Sequence, residues 1–235
     1  ITLNGSSWLD RHWEAGLQHL MRATRDLLGP DAIIPGNGPI DSNAWAHGQL
    51  NEGFADWQPV LGSNGYGANL SRYSDWHTNH FGRLYYIVEQ NPDASPSNRT
   101  NYQEMRYWLG TTLLGDGYFG FSGPAGGLGY RQTWWYDEYS VDLASGQATG
   151  DASRKGYLGY PSGMSQKYGN GLWRRDYDNG IALVNPSGST ITQSLERPYR
   201  MIGGTQDPSV NTGATVSRVT LASRDARILL DLPSV

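Results

Sequence analysis

LYYIVEQNPDASPSNRTNYQEMRYWLGTTLLGDGYFGF, residues 84–121, is the stretch on which the fold class turns. Residues 84–88 (LYYIV) form an unbroken apolar run, the pattern of a strand covered on both faces, and end in Glu89, Gln90 and Asn91. Residues 98–114 then bring Tyr102, Met105, Leu109, Thr112 and Leu113 to one side at helical spacing, and residues 118–121 (YFGF) make another short strand. Strand, helix and strand in this order predict a crossover unit with parallel strands and helical cover.

The same alternation extends upstream. Apolar residues at 9, 13, 17, 20, 21, 24, 27 and 28 follow the i, i+3, i+4 rhythm until Gly29-Pro30 stops the helix. Residues 32–35 and 46–54 (AHGQLNEGF) read as short strands running into loops. Residues 69–82 read as a helix with Leu70, Tyr73, Trp76, His77 and Phe81 inward. Four strands and about three helices precede residue 123, too few strands to close an eight-stranded barrel.

From residue 170 the texture changes. Residues 173–177, 180–185, 190–195, 199–202, 215–221 and 226–230 are β-rich runs separated by turn segments such as DNG and NPSGS. That spacing predicts antiparallel pairing, as a sandwich or sheet. The expected architecture is therefore α/β followed by all-β, with a domain boundary near residue 169. Residues 122–170 form a glycine-rich, aromatic connection carrying WWYDEY (134–139), and its length and aromatic content favour a functional role.

Composition removes several classes. The 235 residues include no cysteine, which excludes disulfide frameworks, thiol nucleophiles and zinc-thiolate clusters. A net charge of −4, with no basic run beyond Arg174-Arg175, argues against a nucleic-acid partner. No stretch has the length and apolarity of a membrane span, and residues 1–20 lack the pattern of a signal peptide. Charged residues are 17% and glycines number 31, a balance that suits a loop-rich fold with wet aromatic surfaces.

In parallel βα architectures, reactive groups leave the carboxyl ends of strands. Asn37 and Asp41 follow the first predicted strand, Glu52 closes the second, Glu89 closes LYYIV, and Asp137 and Glu138 lie in the loop after YFGF. Carboxylates at strand ends, near Trp45, Trp57, Trp134 and Trp135, suit cleavage of a glycosidic bond, which uses one carboxyl as acid and a second as nucleophile or base. Each also has a plainer reading. Glu52 and Glu89 are equally loop carboxylates, and Asp137 and Glu138 equally bond loop backbone or pair with arginines such as Arg131. Four aromatics within six residues fit no single buried face, so part of WWYDEY should be accessible. The histidine pairs, His77 with His80 and His12 with His19, lack an acidic partner at metal-binding spacing, so no metal is expected. No nucleophile elbow, Walker loop or dinucleotide fingerprint is present, and no cofactor is expected.

MRYWLGTTLLGDGYFGFSG (105–123), WWYDEYSVDL (134–143), LWRRDYDNGIALVNPSG (172–188) and YRMIGGTQDPSVNTGATVSRVTLASRDARILL (199–230) resemble the C-terminal half of hypothetical TIM-barrel glycoside hydrolases. These are distantly similar to the endo-α-1,4-polygalactosaminidase group. The resemblance implies a (β/α)8 barrel followed by a small β-sandwich, with residues 1–169 holding barrel strands five to eight and residues 170–235 the antiparallel β-sandwich. It also implies that Glu52, at the end of strand six, is the catalytic acid. Its usual partner, an Asp closing strand four, is absent from residues 1–5, so the expectation is that it lies upstream of Ile1 and that the chain is truncated.

Two functions follow as expectations. One is a hydrolase acting on a poly- or oligosaccharide, with Glu52 as general acid/base and Asn37, Trp45, Trp57, Glu89, Trp134, Trp135, Asp137 and Glu138 contacting the sugar. Burial beside Trp45 or Trp57 would raise the Glu52 carboxyl and keep it protonated. The other is a non-catalytic carbohydrate-binding protein that keeps the aromatic groove without the acid pair. Secretion suits the first, with its signal upstream of Ile1.

Overall fold

The computed structural model describes residues 6–37, 46–52, 65–79, 84–90, 99–123 and 132–231. The chain divides into two compact units, one made of Ile1–Val88 and Asp116–Gly120, the other of Glu89–Gly115 and Phe121–Val235.

In the first unit, α1 (Ser6–Leu28) ends at Gly29, whose φ of 85° lets its N–H reach the Arg25 carbonyl at 2.9 Å. Strands β1 (Pro35–Asn37), β2 (Gly48–Glu52), β3 (Leu84–Gln90) and β4 (Tyr118–Gly123) follow in that order across the sheet, with α2 (Gly65–Asn79) between β2 and β3. The β1–β2 and β2–β3 ladders are parallel, as an α/β reading requires. Leu70 and Tyr73 are the buried residues of the expected inward face of α2, and the Tyr73 hydroxyl accepts the Gly117 N–H. Trp76 and His77 lie in α2 with side chains outside the described set, and Phe81 lies outside the described residues.

The apolar side of α1 departs from expectation. Trp13, Leu20, Leu27 and Leu28 are exposed, the first at 72%. Arg25 is the buried anchor instead: its Nη1 donates to the Ala32 carbonyl at 2.7 Å, and its Nη2 lies 2.6 Å from His47 Nδ1. Because a guanidinium only donates, His47 Nδ1 must be the acceptor, which assigns the ring proton to Nε2.

The second unit is dominated by a six-stranded antiparallel sheet. Its strands are β8 (Gln166–Lys167), β9 (Trp173–Tyr177), β10 (Gly180–Asn185), β11 (Ile191–Met201), β12 (Thr215–Leu221) and β13 (Asp225–Leu230), in the order β12–β11–β13–β10–β9–β8. The runs at 190–195 and 199–202, expected as two strands, are one strand. β11 breaks register against β12 between Ser194 and Tyr199, around Pro198, which has no N–H to donate. Every residue of β10 and β13 is buried, so both faces of the sheet are covered. On one face Leu172, Ile181, Leu183, Tyr199, Val219, Leu221 and Leu229 form a single apolar cluster. Burial of each large side chain there contributes roughly 1.5–3 kcal/mol. On the other, Ile228 and Leu230 pack with Val141, Leu158 and Ile202. The described strands from β8 to β13 thus form one hydrogen-bonded sheet.

Helix α3 (Arg99–Leu113) packs against β13 and β10 within this unit. It can approach because Gly110 lacks a Cβ: one added there would collide with Ala226 Cβ and come within 3.0 Å of Val184 Cγ2. The one-sided face read from the sequence is too narrow. Tyr107, Trp108 and Thr111 are buried as well as Met105 and Thr112, and the hydroxyls of Thr111 and Thr112 are satisfied by the carbonyls four residues earlier.

Residues 132–165, in the connection between β4 and β8, carry short elements. β5 (Gln132–Thr133) pairs antiparallel with the end of β4, a single 3-10 turn spans Asp137–Tyr139, and β6 (Val141–Asp142) pairs with β7 (Gln147–Ala148).

Candidate functional site

In the first unit the register places strand ends side by side. Asn37, the last residue of β1, pairs with Leu50, and Glu52, the last residue of β2, pairs with Val88. Parallel strands share one carboxyl edge, so Asn37 and Glu52 leave the sheet on the same side. Glu89 continues β3 beyond Val88, where the second unit begins. The side chains of Asn37, Glu52 and Glu89 are outside the described set, and Asp41, Trp45, Trp57 and Arg131 lie outside the described residues.

In the second unit WWYDEY splits by depth. Trp134 and Trp135 are 38% and 36% exposed, whereas Tyr136 is fully buried and Asp137 and Glu138 nearly so. The Trp135 indole is fixed: its Nε1 donates to the Thr149 carbonyl at 3.0 Å, its ring meets Tyr139 edge-on, and Lys155 Nζ stands 4.9 Å from the ring centroid. Tyr139 meets Tyr136 edge-on in turn, and the Tyr136 hydroxyl accepts from Asn101 at 2.9 Å.

A clasp holds the backbone behind the indoles. Asp137 Oδ2 accepts the N–H groups of Thr205 and Gln206 at 2.8 and 2.9 Å. The Gln206 amide answers by accepting from Asp137 N and donating to the Trp135 carbonyl. Gly204 permits this, since a Cβ there would collide with Asp137 Oδ2. Glu138 Oε1 accepts from Asn211 Nδ2 at 2.9 Å and stands 4.0 Å from Arg106 Nη1. Burial pushes the Glu138 carboxyl above its ordinary range, against the lowering effects of Arg106 and Asn211. Arg106 is shared: Nη1 reaches Asp207 at 2.9 Å and Nε reaches Asp225 at 3.1 Å. Burial works against the guanidinium charge, but the carboxylates of Asp225, Glu138 and Asp207 prevail and raise it.

A family model described as hypothetical glycosyl hydrolase family 15 matches residues 4–181 of the 235. The chain belongs to this family. Among solved structures, this hypothetical glycosyl hydrolase family 15 member is similar to Eubacterium rectale Amy13B, with 12% identity and a TM-score of 0.47 over 98% of this chain and 58% of that one. The chain thus spans 58% of the length of that structure. No curated protein matches.

The matched residues of this family 15 chain include the strand ends and all of WWYDEY, but stop in β10. Gln206 and Asn211, which bond Asp137 and Glu138, and Asp207 and Asp225, which pair with Arg106, come from chain beyond the match. Sequence reasoning missed all four, and Arg106 too. Arg106 was readable only as one polar residue among several on α3, and Asp225 only as a turn residue in SRDA. Among the described residues no helix is long and apolar enough to cross a membrane, and no group of three or more His, Asp and Glu could hold a metal.

Proposed function

We propose that this chain acts in the hydrolysis of O-glycosidic bonds of a poly- or oligosaccharide, with Glu52 as general acid/base. The observation that carries the reading is the place of Glu52, last residue of a strand flanked on both sides by parallel partners, in a chain of a glycosyl hydrolase family. On this reading residues 1–169 correspond to strands five to eight of a (β/α)8 barrel, and residues 170–235 to an accessory β-domain of sandwich type. Glu52 protonates the leaving oxygen while a second carboxyl serves as nucleophile or base, at about 5–5.5 Å for retention or about 6.5–9.5 Å for inversion. Asn37 and Glu89 are proposed sugar contacts by their strand-end positions, and Trp45 and Trp57 by their place in the sequence on either side of Glu52. Within the second unit, Trp134 and Trp135 are proposed as sugar-stacking surfaces, with Asp137 and Glu138 holding the backbone behind those indoles.

Glu52→Gln in the whole protein is expected to abolish turnover of a susceptible polysaccharide, in a reducing-end assay, while sparing binding. Unchanged turnover overturns the assignment. The exposure of Trp134 and Trp135 also favours a second reading, a non-catalytic carbohydrate-binding protein. That reading gains if wild-type protein retains polysaccharides on affinity gels with no release of reducing ends.

A further inference from the structure

Four buried carboxyls face two buried guanidiniums in the second unit. Asp137, Glu138, Asp207 and Asp225 are at most 9% exposed, and Arg106 and Arg227 are 4% and 8% exposed. Three of the acids have their charge answered. Asp225 takes Arg106 through Nε and Nη2, and Arg227 Nη1 at 2.6 Å. Asp207 takes Arg106 Nη1 at 2.9 Å and the Ser209 hydroxyl at 2.7 Å. Asp137 has the paired backbone N–H groups of residues 205 and 206.

Glu138 differs from these. Its direct partners are neutral, the Asn211 amide and its own backbone N–H, and the nearest guanidinium nitrogen, at 4.0 Å, is the one already 2.9 Å from Asp207. The cavity beside it holds about 10 Å³, room for at most a single water, and its wall is completed by Leu109, Ala226, Ile228 and Arg227, whose guanidinium is engaged by Asp225. A carboxylate cannot be solvated there, and an uncompensated buried charge costs far more than a buried neutral acid. Burial also raises the hydroxyls of Tyr102, Tyr136, Tyr139 and Tyr157, so these rings add no charge while Glu138 titrates.

We propose that Glu138 stays protonated at pH values where the exposed glutamates are ionised, which leaves three carboxylates rather than four facing the two guanidiniums, and that its ionisation loosens the turn presenting Trp134 and Trp135. The connection is short. Glu138 sits inside the 3-10 turn between the Asp137 clasp and Tyr139, whose ring abuts Trp135, and its own carbonyl accepts from the Tyr157 hydroxyl at 3.0 Å. Because the folded state keeps a proton that the unfolded chain releases, this contribution to stability is fully present below about pH 4.3. It is lost as pH rises through the folded-state value. The inference stands whether or not the chain hydrolyses sugars.

The test follows the side-chain carboxyl carbons of 13C-glutamate-labelled whole protein by NMR titration. Exchange of the Trp135 indole N–H is measured in parallel, in wild type and in Glu138→Gln, which mimics the neutral acid. Glu138 is expected to titrate well above the exposed glutamates. Above that point wild-type protection should fall relative to Glu138→Gln by up to tenfold per pH unit. Titration of Glu138 with the exposed glutamates, near about 4.3, overturns the proposal even if the variant fails to fold. A wild-type to Glu138→Gln protection ratio that stays flat with pH overturns the link to the tryptophan turn.

Discussion

Arg106→Met tests the account of the second unit most directly. Arg106 is 4% exposed, spans two carboxylates, and joins α3 to β13 and to the loop carrying Asp207. Methionine keeps most of the aliphatic stem, so the change is chiefly electrostatic. Asp225 retains Arg227 at 2.6 Å, but Asp207 is left with the Ser209 hydroxyl, and Glu138 loses its nearest cation. Breaking a buried pair while leaving its partner costs about 3–5 kcal/mol. The surviving Arg227 contact places the expectation at the lower end, about 3 kcal/mol, on the order of a hundredfold in the opening equilibrium. Hydrogen exchange of the β10 and β13 amides in the whole protein reads that equilibrium. Arg106→Lys should fall between wild type and Arg106→Met, since an ammonium cannot serve Asp207 and Asp225 with two-pronged geometry. Adding Asp207→Asn to Arg106→Met should cost much less than Asp207→Asn does alone, because the partner charge is already stranded. A loss below about 1 kcal/mol, the range of exposed ion pairs, would show that the cluster is solvated in ways that contradict its burial. Additive effects in the cycle would equally refute the reasoning.

Two further outcomes are expected. Gly110→Ala gains about 1 kcal/mol of helix propensity, yet is expected to lower the melting temperature, because the new methyl meets Ala226 and Val184 and overpacking costs about 1–3 kcal/mol; a higher melting temperature would show that α3 moves away freely. The His47 imidazole is lowered, by burial and then by Arg25, so its contribution is present above the unfolded value of about 6.5 and is lost as pH falls through and below it. Protection of the His47 amide, bonded to the Ile34 carbonyl at 2.8 Å, should therefore drop below about pH 6.5 in wild type but not in His47→Gln, and parallel profiles would exclude the switch.

Where local pattern and tertiary packing agreed, the sequence was readable to within a few residues. The helix expected over 98–114 is Arg99–Leu113, and the strands expected over 173–177, 180–185 and 215–221 have those bounds in the structure. The errors lie where tertiary context overrides pattern. Periodicity marks the apolar side of α1 but cannot say that something covers it, and Trp13 and Leu27 stay exposed. The runs at 190–195 and 199–202 were expected as separate strands, whereas β11 absorbs Pro198 in a register shift and continues. The expected inner face of α3 held Tyr102, Met105, Leu109, Thr112 and Leu113, yet the polar Arg106 and Thr111 are also buried, each bonded internally.

The acids in WWYDEY show why a site resists reading from spacing. A position after a strand makes any carboxylate a candidate, and the same rule selected Glu52, Asp137 and Glu138. What separates them is the partners of each, and those of Asp137 and Glu138 lie 68 to 73 residues further on, at Thr205, Gln206 and Asn211. No local window contains that information. The aromatic half of the motif was different: four rings in six residues exceed what one buried face accepts, so exposure of part of the motif followed from geometry alone. Trp134 and Trp135 face out, and the rings behind them pack edge-on down to Tyr136. The turn therefore divides its labour by depth. Its carboxyls hold the backbone still, and on the proposed function a ring held still would lose less freedom were a sugar to stack on it, so that buried acids would serve binding without touching what is bound.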